Sequence, residues 1–93
     1  MAGALSSDEI NKALANMPRW QFTGKALSCE LTLKDFAEAM VLVNRVAEIA
    51  EEMNHHPDIT IQYNRVGFQL WSHDAGGVTS RDMKLAQRIN ELL

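Results

Sequence analysis

Apolar residues recur at helical spacing early in the chain. Ile10, Ala13 and Leu14 follow Ser6 and Glu9, which are spaced as a capping box, and Pro18 closes the run. This predicts a short helix from about Asp8 to Asn16. Trp20 to Phe22 and Ala26 to Leu31 are β-prone runs separated by Thr23, Gly24 and Lys25, with Gly24 placed to take the positive φ of a tight turn. Together they predict a hairpin. Thr32 with Asp35 resembles a second capping box, and Phe36, Met40, Val43, Ala47, Ala50 and Met53 trace the apolar stripe of a long helix. Pro57 disfavours helical geometry at the residue before it, so this helix is expected to end at or just before His55 and His56.

From Asp58 the period changes to two. Ile59, Ile61 and Tyr63 face one way and Asp58, Thr60 and Gln62 the other, Asn64 and Arg65 supply a turn, and Val66, Phe68 and Leu70 then alternate with Gly67, Gln69 and Trp71. A second, half-buried hairpin follows from this pattern. After a loop at Ala75, Gly76 and Gly77, Thr79 and Asp82 form a third capping pattern ahead of Met83, Ala86, Ile89 and Leu93 on a final helix. The order α-β-β-α-β-β-α predicts an α+β fold: a four-stranded antiparallel sheet with three helices on one face, in a single domain over residues 1–93.

Composition narrows the function. Ninety-three residues, 46% of them hydrophobic, make one small core, and a chain of this size buries only roughly 60–65% of the surface its unfolded form exposes, so a homo-oligomer is expected. A formal net charge of −3, with basic residues spread from Lys12 to Arg88, argues against direct nucleic-acid binding. The start of the chain lacks a basic leader region, and the longest apolar run, Ala39 to Val43, is too short to span a bilayer. A cytoplasmic, unprocessed protein with no membrane partner is expected. The single cysteine, Cys29, reads as a buried thiol with nothing nearby in sequence to activate it.

All three histidines fall between His55 and His73, and the hairpins can return them to one edge of the sheet. A lone histidine is most often a solvated surface residue. Here two stand at a helix end and a third just beyond a strand. Glu51 lies four residues before His55, a spacing that puts both on one helical face, where the carboxylate can fix the imidazole tautomer; Glu52 and His56 share the spacing. A metal site fits poorly, because adjacent histidines diverge by about 100° on a helix. Imidazoles working as acids and bases near neutral pH are the sharper chemistry. Trp71 and Trp20 either wall a slot for a flat ligand or belong to the core or a subunit contact.

The runs Glu51-Glu52-Met53-Asn54-His55-His56-Pro57-Asp58, Tyr63-Asn64-Arg65-Val66 and Leu70-Trp71-Ser72-His73-Asp74-Ala75-Gly76-Gly77-Val78-Thr79-Ser80-Arg81-Asp82 together resemble the signature of the pterin-4a-carbinolamine dehydratases. The likeness extends from about Ser7 to Leu93. It implies that His55, His56 and His73 surround a pterin and move protons, with Glu51 supporting His55. Asn54, Ser72, His73 and Asp74 would contact the substrate, with Trp20 near the pocket. It further implies dimers or tetramers and a reaction, needing neither metal nor cofactor, that removes water from a 4a-hydroxytetrahydropterin in tetrahydropterin recycling. Asn54 stands where Asp is common in the family, Ile59 where many members are aromatic, and Val78 where Leu or Ile is usual. The alternative is a dimerising interaction or assembly module, since some relatives act as transcriptional coactivators.

Overall fold

The computed structural model describes residues 3–93; Met1 and Ala2, part of the stretch read above for a leader, lie outside the described residues. The elements are α1 (Ser7–Leu14), β1 (Trp20–Phe22), β2 (Leu27–Thr32), α2 (Phe36–Met53), β3 (Asp58–Gln62), β4 (Arg65–Leu70) and α3 (Ser80–Asn90). The strands form one antiparallel sheet in the order β1-β2-β4-β3, so β2 and β4 are central. This is the expected α+β architecture and element order.

Strand register explains the single buried face. Leu27, Cys29 and Leu31 of β2 pair with Leu70, Phe68 and Val66 of β4, and these alternate residues pack under the helices. The intervening pairs, Ser28 with Gln69 and Glu30 with Gly67, point to the uncovered side. Ile10 and Leu14 of α1, Val46 of α2 and Leu85, Ala86 and Ile89 of α3 close the same core. No helix is long and apolar enough, among the described residues, to cross a membrane.

Local chemistry sets the boundaries. Ser6 and Glu9 form the expected capping box, as do Thr79 and Asp82. The second helix departs from expectation, because Asp35 rather than Thr32 is its N-cap and accepts from the Glu38 N–H at 2.9 Å. Thr32 is instead the last residue of β2. The buried face of α2 is Ala39, Leu42, Val43, Val46 and Ala50, whereas Phe36 is half-exposed and Ala47 exposed. Of the expected stripe, Val43 and Ala50 are buried and Met40 and Met53 pack against the core. The helix carries apolar residues on two faces, so periodicity alone also takes in Phe36 and Ala47 and passes over Ala39, Leu42 and Val46. The second hairpin also turns one residue early: Tyr63 takes a left-handed conformation (φ 52°), and β4 begins at Arg65. Gly24 has the expected positive φ, 95°.

Candidate active site

α2 ends in a way that sets the site. Asn54 caps it in the left-handed region (φ 52°, ψ 42°), and the His55 N–H donates to the Ala50 carbonyl at 3.1 Å, a Schellman-type closure. Asn is, after Gly, the residue best suited to that backbone, which accounts for Asn54 at this position. The chain then leaves the helix axis, and the two histidines separate.

His55 turns inward. Its Nε2 lies 2.5 Å from Oδ1 of Asp82, with the His55 side chain 12% exposed and Asp82 fully buried. A buried carboxylate is costly unless its oxygens are occupied. Asp82 meets that demand: Oδ2 accepts from the Ser72 hydroxyl at 2.8 Å and the Thr79 N–H at 2.9 Å, and the Ser72 and Thr79 hydroxyls lie 2.9 Å apart. As a carboxylate Asp82 can only accept, so His55 Nε2 carries the proton and Nδ1 is the ring's other proton-exchanging atom.

His56 turns outward to Glu51, Nε2 to Oε2 at 2.5 Å, in an exposed pair. The expected pairing of Glu51 with His55 is therefore corrected to Glu51 with His56, and Glu52 pairs with Arg88 at 2.9 Å rather than with His56. The four-residue helical spacing fails because the helix stops at Met53, before either histidine.

Past β4, the extended backbone alternates sides. Ser72 is buried and faces Asp82, while Trp71 and His73 project to the other side with ring centroids 3.8 Å apart and planes 25° from parallel. Lys25, from the β1–β2 turn, places its Nζ 4.3 Å from the centroid of the Trp71 ring. Arg81 donates to Asp74 Oδ1 at 2.6 Å, and that bond holds the Asp74 carboxyl below the usual carboxylate range.

These groups surround an open cleft of about 350 Å³. Of the residues expected in a site, Asn54, His55, His56, Trp71, Ser72, His73 and Asp74 line it, and Arg81 joins them. Its volume lies in the range of small-molecule sites, roughly 300–1,000 Å³. Three expected residues are placed differently. Glu51, paired with His56, does not itself line the cleft. Trp20 is a core residue, 3% exposed and opposite Cys29 in the sheet, because β1 turns it to the helix-covered face, and it does not line the cleft. Ser72 borders the cleft, but its hydroxyl is committed to Asp82. Asp82 itself is the residue that sequence reasoning places only as a helix cap. It lies 27 positions from His55, and no local spacing signals the contact. Among the described residues no three His, Cys, Asp or Glu side chains are arranged to hold a metal ion.

A family model for pterin 4 alpha carbinolamine dehydratase matches residues 3–92. The chain belongs to this family. Among its relatives, a protein of Koribacter versatilis named "Putative pterin-4-alpha-carbinolamine dehydratase" is 49% identical over 92 residues, covering 99% of this chain and 98% of its own. One of the same name from Thermomicrobium roseum is 51% identical over 88 residues, covering 95% of each chain. A crystal structure described as a transcriptional coactivator/pterin dehydratase from Brucella melitensis superposes with a TM-score of 0.91 at 35% identity, covering 97% of this chain and 98% of that one. A pterin dehydratase-like protein described as a RuBisCO assembly factor shares the fold, with a TM-score of 0.64 at 21% identity over 80% of this chain and 86% of its own.

Proposed function

We propose that this member of the pterin dehydratase family is an active hydro-lyase that converts a 4a-hydroxytetrahydropterin to the quinonoid dihydropterin and water, serving cytoplasmic tetrahydropterin recycling. The observation that carries the reading is the buried His55–Asp82 pair, set at a cleft that also takes in His56 and His73. In the reaction the bond from C4a to the hydroxyl oxygen breaks as that oxygen gains a proton. The lone pair of the adjacent ring nitrogen forms the new C=N bond, and the proton on that nitrogen passes to a base. One proton is given and one taken on either side of a flat ring, which is work for imidazoles without a metal or cofactor.

His55 is the principal acid and base. Asp82 fixes its tautomer at Nε2, which leaves Nδ1 to exchange protons. His56 and His73 orient the ring and share transfers, Glu51 orients His56, and Asn54 and Asp74 contact the substrate at the rim. Ser72 acts through Asp82, and Trp20 through the core. The test is acceleration of 4a-hydroxytetrahydropterin dehydration over the spontaneous rate, with His55→Ala alongside.

A second reading, a dimerising interaction or assembly module, draws on Phe36 and Val41 of α2, which are 50% and 54% exposed. The two readings coexist if α2 joins subunits of a homodimer or homotetramer. A protein partner still captured by a variant with all three histidines replaced by alanine would favour the module.

A further inference from the structure

His73 stands on an exposed turn, where an imidazole ordinarily samples several rotamers. Among the described residues no side-chain hydrogen bond holds its ring, in contrast to His55 on Asp82 and His56 on Glu51. What holds it is aromatic. Trp71 and His73 stand on either side of the inward-facing Ser72 and stack at 3.8 Å, and the far partner of the indole is Lys25, 4.3 Å from the ring centroid. Ser72 is pinned by the buried Asp82, so the backbone between the two rings is fixed.

Building on the dehydratase reading, we propose that Trp71 is a positioning residue for His73: its indole, held from the β1–β2 turn by Lys25, fixes the imidazole in one orientation at the cleft. Each contact is modest alone, a bias of roughly two- to fivefold in population for an exposed cation on an aromatic face. In series they restrict the orientation of the third imidazole, as hydrogen bonds to carboxylates do for the other two. Lys25 does not line the cleft, and the ring it touches is that of Trp71.

The test is proton NMR of the His73 ring, assigned with a His73→Gln variant, in the full-length protein and in Trp71→Leu, Trp71→Phe and Lys25→Met. The wild type is expected to show His73 ring protons displaced upfield by the stacked indole. Trp71→Leu loses the displacement, Trp71→Phe keeps much of it, and Lys25→Met reduces it. In turnover, Trp71→Leu is expected to lower kcat by about tenfold or more while Trp71→Phe restores most of it. A wall that merely touches substrate would raise KM instead, and that outcome counts against the proposal. His73 ring protons at free-imidazole positions in the wild type, or left unmoved by Trp71→Leu, overturn it. A wild type that shows the displacement but does not accelerate dehydration overturns the dehydratase reading and leaves the stack standing.

Discussion

Asp82 joins His55 to the start of α3: Oδ1 takes the imidazole Nε2 at 2.5 Å, and Oδ2 takes the Thr79 N–H at 2.9 Å. One carboxylate thus serves as both a helix cap and the partner of a candidate catalytic base. The same side chain that starts the last helix ties the end of α2 to the loop beyond β4, so folding and site geometry share a residue.

Asp82→Asn keeps the shape but offers an amide that can accept through only one atom, while His55, Ser72 and Thr79 all present donors. We expect a loss of roughly 1–3 kcal/mol in stability, from a buried donor left facing an amide N–H. Turnover should fall by more than tenfold, because the His55 tautomer is no longer fixed. Urea unfolding followed by steady-state kinetics at a urea-free, fully folded concentration separates the two effects.

Glu51 and His56 make the opposite comparison. Their pair is exposed, 77% and 55% for the two side chains, and such pairs contribute about 0–1 kcal/mol. Glu51→Gln is therefore expected to shift the urea midpoint little and to reduce turnover far less than Asp82→Asn. A larger effect from Glu51→Gln would transfer the principal role from His55 to His56.

Asn54→Ala tests the helix exit. At φ 52° an alanine carries a left-handed backbone penalty of about 1–2 kcal/mol, whereas glycine carries none. Asn54→Ala is expected to destabilise measurably and Asn54→Gly to lie close to the wild type in thermal melts. Both remove the rim amide, so a loss of substrate affinity common to both reports its contact with the ligand.

Cys29 should be inert. Burial pushes its thiol up to about 11, so at neutral pH it is protonated as well as covered. A thiol-directed reagent is expected to label the native protein very slowly at neutral pH and rapidly in urea.

The order of elements and two of the three caps were legible because they rest on local spacing: Ser6 with Glu9, Thr79 with Asp82, and the alternation from Val66 to Leu70. The stripe on α2 was legible in part: Met40, Val43, Ala50 and Met53 meet the core, whereas Phe36, as apolar as Val43, stays exposed, and only packing against the sheet distinguishes the two. In the site, the sequence pointed to the three histidines, and the cleft brings them together. Their partners escaped it. A four-residue spacing pairs Glu51 with His55 only on a continuous helix, and Asn54 reverses the backbone between them; the His55–Asp82 contact spans 27 positions. Trp20, for which the sequence left a pocket wall and a core position equally open, enters the core.

On the proposed reading, His55 performs the proton transfers of dehydration. The most direct measurement is the rate of 4a-hydroxytetrahydropterin dehydration with the wild type and with His55→Ala, each shown to be folded by its circular dichroism and melting temperature. Acceleration by the wild type and a fall of about a hundredfold or more in the variant are expected, in line with the contribution of a single acid–base group. A folded His55→Ala protein that turns over at near-wild-type rate would contradict that reading.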